Sequence, residues 1–439
     1  MTDNGSYDAI VVGGGFAGVT AMRDLREKGL SVLLIEGRDR LGGRTWYREC
    51  TGTDRHVEFG GTWIAPRWQP HAAREVERYG QEFVLSPDPS IFTWSLGGKK
   101  STSALPIPVE EWLDFERAIR VVDNAASRLR FGEAPLDQPG LEDLDVPFAD
   151  WLGALNLPPK TREFLLAWAG FYFGAPPTDV SALHILSWVA GFGNSAVAWY
   201  VGVSEKLGHG TKGLIEAMAA DADGEILLES PAQKIEASDE RVRITTRQGE
   251  SFGAQAAVIA TPINTWHALE FRPELGEAKR IMAFERQTGH SVKIWALVRG
   301  LRGNFYGVGY DTKIKWLATE YSTDQGDLLV GFGVSPDDLD VTDDHAVAAA
   351  VREFLPDADV VATDAHDWNT DEFSQGTWMA YRPGQVMKYA SALQQPEGRL
   401  AFAGSDLASG WAGWIEGAVE SGHRAAGHVL RITRAATVA

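Results

Sequence analysis

The sequence is almost free of cysteine and has no long apolar run, and each shortage limits what the protein can be. Cys50 is the only cysteine among 439 residues, so no disulfide can form within the chain and a cytoplasmic location is the simplest expectation. No apolar run reaches the ~20 residues that a transmembrane helix needs. The N-terminus is polar and leads directly into an apolar strand, so we expect no signal peptide. The tail after Gly417 carries His423, Arg424, Arg431 and Arg434, so we expect no membrane anchor there.

Positive charge is also in short supply. The chain has 41 lysines and arginines against 60 aspartates and glutamates, which gives a net charge of −19. This balance argues against nucleic acid or an anionic membrane as a partner. His184, His209 and His290 do not stand at ligand spacing with acids or cysteines, so we expect no metal site.

The chain is rich in glycine near its N-terminus, where one pattern is informative. Residues 9–12 are an apolar run, residues 13–18 read G-G-G-F-A-G, a helical pattern follows, and a second apolar run at residues 32–35 ends in Glu36. Gly13 permits a tight turn, Gly15 lets the backbone approach a pyrophosphate, and Gly18 lets the helix pack close to the strand. Glu36 is placed to accept a hydrogen bond from a ribose hydroxyl. The spacing therefore predicts a βαβ unit that binds an adenine dinucleotide.

Four further sequence stretches carry a family resemblance. Residues 36–44 read E-G-R-D-R-L-G-G-R, and residues 58–63 read E-F-G-G-T-W. Near the other end, residues 399–406 read R-L-A-F-A-G-S-D and residues 411–418 read W-A-G-W-I-E-G-A. In this order and combination, the motifs resemble those of the FAD-dependent amine oxidases, a family that includes the monoamine oxidases. The resemblance runs essentially from end to end.

Other segments resemble particular branches of that family. Residues 144–147, 164–169 and 260–266 are most similar to the bacterial 6-hydroxynicotine oxidases. Residues 36–40 and 60–63 resemble the cyclohexylamine oxidases.

The resemblance implies FAD as the cofactor and assigns residues to it. Thr377 stands where covalently flavinylated relatives have a cysteine, so we expect the flavin to be held noncovalently. Glu36 and Arg44 are expected to bind the ribose and the pyrophosphate. Glu58 and Glu416 lie in cofactor motifs and are expected to position the flavin. The residues expected to bind FAD are Gly13, Gly15, Phe16, Ala17, Gly18, Glu36, Gly37, Arg38, Gly42, Gly43, Arg44, Gly60, Gly61, Thr62, Trp63, Ala232, Gly404, Ser405, Asp406 and Ile415.

The predicted fold class is α/β (α+β overall), in two interleaved parts. The dinucleotide strands open the chain and the flavin segment closes it, so one domain must be assembled from distant pieces. We predict a Rossmann-like FAD-binding domain from residues 1–84, 206–284 and 394–439. Residues 85–205, which are helical by pattern, and residues 285–393, which contain strand runs, form a substrate-binding domain of mixed sheet plus helices.

Lys293 is the first of three candidate catalytic residues. It lies in an apolar strand, and alternation places it on the same face as Trp295 and Leu297. A buried, unpaired ammonium is costly, which favours a functional role over a solvated one. The resemblance implies that Lys293 holds a water against flavin N5 and assists reoxidation by O2.

Trp378 and Trp414 are the other two. Residues 376–384 and 413–417 match the segments that supply the family's aromatic cage, in which two rings guide the amine nitrogen over the flavin. Many relatives use two tyrosines, so two tryptophans predict a narrower and less polar passage. The alternative is that both are core residues among the chain's 16 tryptophans.

The expected substrate pocket is lined by Phe171, Tyr172, Trp199, Tyr200 and Leu317. Phe171 and Leu317 stand where the 6-hydroxynicotine oxidases have polar residues, so the hydrogen-bonding groups for a hydroxypyridine are expected to be missing. Such a pocket favours an apolar amine. These five residues could equally be core residues.

The implied function is oxidation of an apolar alicyclic, aryl or alkyl amine. Hydride passes from the amine α-carbon to FAD N5, the imine hydrolyses to a carbonyl, and O2 is reduced to H2O2. Three alternatives stay open: a 6-hydroxynicotine-type oxidase of N-heterocycles, a same-fold dehydrogenase or desaturase with another electron acceptor, and a flavin-binding module without turnover. The expected partners are therefore a small-molecule amine and O2, and a homodimer is left open.

Overall fold

The computed structural model describes residues 3–133 and 135–438. Its strands are β1 (Asp3–Val12), β2 (Val32–Ile35), β3 (Tyr47–Glu49), β4 (His56–Glu58), β5 (Trp63–Ile64), β6 (Phe83–Leu85), β7 (Ile91–Leu96), β8 (Lys99–Ser101), β9 (Glu205–Leu207), β10 (Glu225–Leu227), β11 (Ala232–Ala237), β12 (Val242–Thr246), β13 (Ser251–Ile259), β14 (Glu270–Arg272), β15 (Val292–Arg299), β16 (Phe305–Gly309), β17 (Ile314–Thr323), β18 (Gly326–Gly333), β19 (Asp359–Ala365) and β20 (Leu400–Phe402).

Its helices are α1 (Phe16–Glu27), α2 (Pro70–Arg78), α3 (Trp112–Ala126), α4 (Phe148–Gly153), α5 (Pro159–Phe173), α6 (Ala182–Gly191), α7 (Ala196–Gly202), α8 (Gly210–Ala222), α9 (Glu277–Glu285), α10 (Asp344–Arg352), α11 (Gln385–Gln394) and α12 (Ile415–Val438). Within the described residues, no helix is both long and apolar enough to cross a bilayer.

The first sheet contains the predicted dinucleotide strands. Its order is β10-β2-β1-β13-β12-β11-β14, and β20 pairs with the C-terminal half of β13. β10, β2, β1, β13 and β20 run parallel. Val12 is in register with Ile35 on one side and with Ile259 on the other, so three strands end at one level. In open α/β sheets this edge is where ligands bind.

The second sheet is mixed and has the order β19-β15-β18-β17-β16-β7-β8. Trp295 and Leu297 of β15 face the large hydrophobic core that the sheet shares with α3 to α7. Val292, Ile294 and Ala296 face a smaller core with α10. The predicted alternation in β15 is therefore confirmed. A small sheet, β5-β9-β6, lies beside these two, and β3 pairs with β4.

The two large sheets explain the interleaved chain. The first takes its strands from residues 3–35, 225–272 and 400–402, and the second from residues 91–101 and 292–365. The α/β class and the assembly of the dinucleotide-binding sheet from separated segments are confirmed. The domain boundaries themselves stay a prediction. Residues 85–205 are not purely helical, because β7 and β8 add the last two strands to the second sheet.

Candidate active site

A cavity extends from the carboxyl ends of β1 and β2 to the inner face of the second sheet. Among the predicted FAD-binding residues, only Gly18 and Asp406 do not line it. Gly18 is packed under the first turn, since a Cβ there would lie 1.9 Å from the carbonyl oxygen of Gly13. Asp406 is buried behind the wall and acts on a neighbouring side chain.

The turn after β1 is built for close backbone approach. Gly13 has φ +110°, and a Cβ on it would lie 2.7 Å from the carbonyl oxygen of Ala260. A Cβ at Gly43 would lie 3.3 Å from the Cα of Gly15, so the two glycine loops meet closely. The N-terminus of α1 follows at Phe16 and adds its partial positive charge to this end of the cavity.

Glu36 lines the cavity directly after β2 and is buried. Its Oε2 accepts a hydrogen bond from the backbone N–H of Gly14 at 2.6 Å, and its Oε1 accepts one from Arg38 at 2.8 Å. These two bonds fix the carboxylate against the glycine turn. Its predicted bond to a ribose stays a prediction.

Arg44 joins the N-terminal and C-terminal motifs. Its guanidinium donates to the carbonyl oxygen of Thr377 at 2.6 Å, to Ser405 Oγ at 3.0 Å and to Asp406 Oδ1 at 2.7 Å. Asp406 Oδ2 in turn accepts from the N–H of Ile263 at 3.2 Å. Arg44 therefore ties three distant segments together at the cavity wall, in addition to any contact with a pyrophosphate.

Two glutamates of the cofactor motifs, Glu58 and Glu416, do not line the cavity, and their expected role in positioning the flavin stays a prediction. Glu58 accepts from the N–H of Thr211 at 2.5 Å, at the start of α8. Glu416 accepts from the N–H groups of His71 and Ala72 at 3.1 and 2.6 Å and caps the first turn of α2. Burial raises the pKa of each carboxyl to about 7.

Lys293 lines the cavity from β15 and is 4% exposed. Its Nζ donates to the carbonyl oxygen of Gly60 at 2.9 Å and to Thr62 Oγ1 at 2.6 Å. Burial lowers its pKa to about 7, although the charges of Glu58 and Glu320 oppose the shift. The amine is thus held at a fixed place with a pKa near neutrality.

Trp378 and Trp414 both line the cavity, together with Lys293. The indole N–H of Trp378 donates to the carbonyl oxygen of Tyr172 at 2.8 Å. Trp414 packs edge-on against Trp188, with ring centres 5.0 Å apart. Its N–H is buried and, within the described residues, has no hydrogen-bond partner. The structure brings these three candidates to one cavity, and their catalytic roles stay a prediction.

Aromatic rings form the half of the cavity beyond Lys293. Trp316 lies at the centre of this group, stacked on Phe171 at 5.9 Å and edge-on to Trp63 at 5.8 Å. The lining residues here are Trp63, Phe171, Tyr172, Trp188, Tyr200, Val203, Tyr306, Trp316, Phe332, Trp378 and Trp414. The acidic lining residues are Glu36 and Glu372, both at the dinucleotide end, so within the described residues the aromatic half has no carboxylate.

Two predicted pocket residues lie elsewhere. Leu317 is fully buried on the opposite face of β17, in the small core with Ile314 and Phe305, so its prediction as a pocket residue is wrong. Its neighbour Trp316 faces the cavity, because side chains alternate along a strand and an error of one residue changes the face. Trp199 is also fully buried and stands behind Tyr172, with ring centres 4.7 Å apart.

The aromatic half also contains polar groups, some of which the sequence did not reveal. The phenols of Tyr200 and Tyr306 both line the cavity and interact with each other, and the Trp316 ring lies edge-on to Tyr306 with ring centres 6.0 Å apart. Burial raises the pKa of both phenols, so both keep their protons at neutral pH.

The sequence is similar to those of a known enzyme family. The family model for flavin-containing amine oxidoreductases matches residues 16–430. The chain belongs to this family.

Individual members of the amine oxidoreductase family cover nearly the whole chain. The (S)-6-hydroxynicotine oxidase of Paenarthrobacter nicotinovorans is 36% identical over 97% of this chain and 99% of its own length. A pseudooxynicotine dehydrogenase of a Pseudomonas species is 35% identical over 96% of this chain and 86% of its own. The structure of cyclohexylamine oxidase from Brevibacterium oxydans IH-35A superimposes with a TM-score of 0.84 at 23% identity, covering 97% of this chain and 99% of that one, which shows the shared fold.

Family membership establishes an amine oxidoreductase with FAD as its cofactor. The cavity fits this group. A Cβ at Gly404 would meet no atom within 4 Å, so the glycine borders open space. The hydroxyl of Thr261 also lines the cavity and, within the described residues, is buried without a partner, which leaves it for a polar ligand.

Thr377 lines the cavity of this amine oxidoreductase and its hydroxyl accepts from the N–H of Ser291 at 3.2 Å. Cys50 is buried and does not line the cavity, and burial raises its thiol pKa to about 12. Sequence reasoning missed several lining residues, among them Trp188, Ser291, Tyr306, Trp316 and Phe332. The register of β17, which the sequence leaves open, decides between Trp316 and Leu317, and the other residues depend on tertiary packing.

Proposed function

We propose that this chain oxidises an apolar alicyclic, aryl or alkyl amine to an imine, which hydrolyses to a carbonyl, with O2 as the electron acceptor and H2O2 as a product. The observation that carries the proposal is the aromatic half of the cavity, which ends at Lys293, Trp378 and Trp414 and whose described lining has no carboxylate. A noncovalently bound FAD supplies the redox chemistry by accepting a hydride from the amine α-carbon and passing the electrons to O2.

The lining favours a neutral, monofunctional amine. A second cationic group on the substrate would be desolvated among aromatic rings without a carboxylate to pair with it, which is costly. The faces of Trp378 and Trp414 offer a partly positive nitrogen a weak attraction and restrict its approach. Lys293, fixed by Gly60 and Thr62, is placed to hold a water and to supply or withdraw a proton near neutral pH.

Anaerobic mixing of the holoenzyme with a panel of amines tests the proposal. We expect cyclohexylamine, benzylamine or phenylethylamine to bleach the flavin absorbance, and air to restore it with release of H2O2. Putrescine serves as the matched dicationic control and should bleach the flavin slowly or not at all. A flavin that no amine of the panel bleaches would contradict the proposal, and bleaching without reoxidation by air would contradict O2 as the acceptor.

A second candidate function is oxidation of a nicotine-type N-heterocycle. The phenols of Tyr200 and Tyr306 support it, because they line the aromatic half, stay protonated at neutral pH and offer hydroxyl groups to a pyridine nitrogen or an oxygen. The relatives named as (S)-6-hydroxynicotine oxidase and pseudooxynicotine dehydrogenase also favour this class. In this second candidate function, the phenols of Tyr200 and Tyr306 take the place of the polar groups expected to be missing at Phe171 and Leu317.

Tyr200→Phe distinguishes the two candidates. If a heterocycle acceptor binds at Tyr200, the variant should raise the KM for 6-hydroxynicotine about fivefold, the loss of one hydrogen bond, and leave the KM for benzylamine unchanged. Tyr389→Phe, in α11 and outside the cavity, is a matched control. Equal KM values for 6-hydroxynicotine in wild type and Tyr200→Phe would remove Tyr200 from the second candidate.

A further inference from the structure

A partly buried chain of hydrogen bonds outside the cavity ends on one of the residues that line the cavity. The indole N–H of Trp63 donates to Ser86 Oγ at 3.0 Å, and the hydroxyl of Ser86 donates to Glu320 Oε1 at 2.8 Å. The ammonium of Lys206 donates to the same carboxylate oxygen. Trp63 lines the cavity, whereas Ser86, Lys206 and Glu320 do not.

The chain is anchored by a buried ion pair. The side chains of Lys206 and Glu320 are 4% and 2% exposed, and Lys206 Nζ also lies 4.8 Å from the ring centre of Tyr321. Buried ion pairs contribute little net stability compared with apolar residues of the same size, and where they have a documented use it is to specify one arrangement. The catalytic proposal uses neither residue, so the pair calls for another explanation.

The elements that carry these residues converge on Trp63. β5 supplies Trp63 and β9 supplies Lys206, which are direct register partners. Ser86 follows β6 and its N–H donates to the carbonyl oxygen of Ser204 at 2.8 Å, just before β9. Glu320 comes from β17 of the second sheet. The chain therefore links the small sheet to the sheet that carries the aromatic wall.

Trp63 occupies a central position in that wall. Its ring centre lies 5.2 Å from Lys293 Nζ, 5.8 Å from the ring of Trp316 and 6.0 Å from the ring of Phe332. The indole has one polar atom, so a hydrogen bond at Nε1 defines which edge points away from the cavity and which face remains against Lys293.

We propose that Ser86, anchored by the Lys206–Glu320 ion pair, is a positioning residue that holds the indole of Trp63 between Lys293 and the aromatic half of the cavity. This inference rests on the proposed function, because it assigns a role in the same cavity. Removing the hydroxyl of Ser86 leaves the Lys206–Glu320 ion pair in place but allows the indole of Trp63 to rotate. A bound amine then packs less well against Trp63, although every residue that lines the cavity is still present.

A double-mutant cycle on the holoenzyme tests the inference, with flavin reduction by benzylamine and by 6-hydroxynicotine as the reaction. We expect Ser86→Ala to raise the KM about fivefold, the size of one lost hydrogen bond, and to change kcat less than about twofold. Trp63→Phe keeps a ring but removes the N–H. If Ser86 acts through Trp63, Ser86→Ala should have no additional effect in the Trp63→Phe background.

Two variants separate positioning from loss of structure. Ser86→Thr keeps the hydroxyl and should restore the wild-type KM, and Ser204→Ala removes a hydroxyl from the neighbouring segment and should leave it unchanged. A Ser86→Ala effect that is fully additive with Trp63→Phe, or a lowered Tm with an unchanged KM, would overturn the inference.

The visible spectrum of the oxidised flavin provides a readout that needs no turnover. If Ser86 holds Trp63, Ser86→Ala and Trp63→Phe should shift this spectrum in the same way and Ser204→Ala should not. If the wild-type enzyme oxidised no amine, the proposed function would be wrong. The comparison of flavin spectra would still test whether Ser86 positions Trp63. Identical spectra for wild type and Ser86→Ala would then overturn the inference.

Discussion

At the scale of single residues, Lys293 combines burial with an unusual set of neighbours. Its Nζ faces the ring centres of Trp63, Trp295 and Phe332 at 5.2 to 5.6 Å and donates to two oxygens of residues 60–62. Burial lowers its pKa to about 7, so both protonation states are populated near neutral pH. This places a group that can exchange a proton in the same cavity as Trp378 and Trp414.

The first prediction concerns Lys293→Met. Because a positioned proton-transfer group contributes about a hundredfold or more to a rate, we expect a loss of at least tenfold in flavin reoxidation by O2, with FAD still bound. The pH dependence of the wild-type rate should have a step near 7 that the variant lacks. Stopped-flow absorbance after anaerobic reduction measures both quantities.

Lys315→Met is the matched control for this prediction. Lys315 is half-buried, and burial lowers its pKa as it does that of Lys293, but Lys315 does not line the cavity. Its substitution should leave the reoxidation rate unchanged. Wild-type rates of both reduction and reoxidation in Lys293→Met would remove Lys293 from the chemistry.

The residue scale also shows where sequence reasoning reaches its limit. Lys293 could be predicted because a lysine stands out in an apolar strand whose faces alternate. Trp316 and Leu317 could not be separated, since both are apolar and assignment to the cavity depends on the register of β17. Glu416 belongs to a cofactor motif, yet it caps α2, because a motif records which residues occur together and not what each one contacts.

At the scale of elements, a short segment closes the dinucleotide end of the cavity. Residues 371–374, which we call the clasp segment, join Arg38 through Asp371 and Ser374, with an Arg38 Nη2–Ser374 Oγ distance of 2.9 Å. Phe373 packs on Gly37, where a Cβ would come within 2.8 Å of the ring. Phe373 and its neighbour Glu372 line the cavity.

The second prediction is that Phe373→Ala releases FAD faster. The ring contributes apolar area and cation–π contacts with Arg38 at 5.4 Å and Arg247 at 5.7 Å. Loss of about 1–2 kcal/mol of such contact corresponds to a release rate about tenfold higher. The recovery of flavin fluorescence after dilution measures the rate.

A phenylalanine outside the cavity provides the control for the clasp segment. Phe284 is 85% exposed, so Phe284→Ala should leave FAD release unchanged. Arg247→Gln should change it little, because the Arg247–Glu372 pair is half-exposed and screened by solvent. A wild-type release rate in Phe373→Ala would show that the clasp segment does not retain the cofactor.

The third prediction concerns Glu416 and the start of α2. Burial raises the pKa of Glu416 to about 7 in the folded protein, above its ordinary value of 4.5. Between these values the folded state binds more protons than the unfolded state, so Glu416 makes stability fall as pH rises from 4.5 to 7. Glu416→Gln does not titrate and lacks this contribution.

Thermal unfolding at several pH values measures the effect of Glu416. The Tm of Glu416→Gln relative to wild type should be higher at about pH 8 than at about pH 5. Glu216→Gln, at an exposed position of α8, serves as the control and should show a smaller change. A Tm difference between Glu416→Gln and wild type that does not vary with pH would contradict a raised pKa at this position.

Elements differ in how far the sequence determines them. β1, α1 and β2 follow from local patterns, namely two apolar runs, a glycine turn and a helical period. The small sheet β5-β9-β6 joins residues more than a hundred positions apart in strands of two or three residues. Such short strands carry no periodic signal, and their pairing depends on tertiary contacts.

At the scale of the whole molecule, the cavity is the place where the separated segments meet. Its lining comes from residues 12–17, 35–45, 59–63, 171–172, 188, 200–203, 231–232, 247, 260–269, 291–293, 306, 316, 332 and 368–378, and from 404–418 near the end of the chain. The interleaved order could be predicted because motifs for one cofactor stand at both ends of the sequence. The shape of the aromatic half could not, because it arises where α5 and α7 pack against the second sheet.

The last prediction follows from this convergence. A ligand that binds only the folded state stabilises it by about 4 kcal/mol at a thousand times its Kd. Because the residues expected to bind FAD come from segments along the whole chain, removal of FAD should lower the Tm in one cooperative transition, and added FAD should raise the Tm of the apoprotein in proportion to the logarithm of its concentration. FMN lacks the second phosphate and the adenosine ribose that the glycine turn and Glu36 are expected to bind, so FMN should restore little of the lost stability. Equal stabilisation by FMN and FAD would contradict a dinucleotide site at the ends of β1 and β2, and a Tm that does not respond to FAD would show that the segments hold together without it.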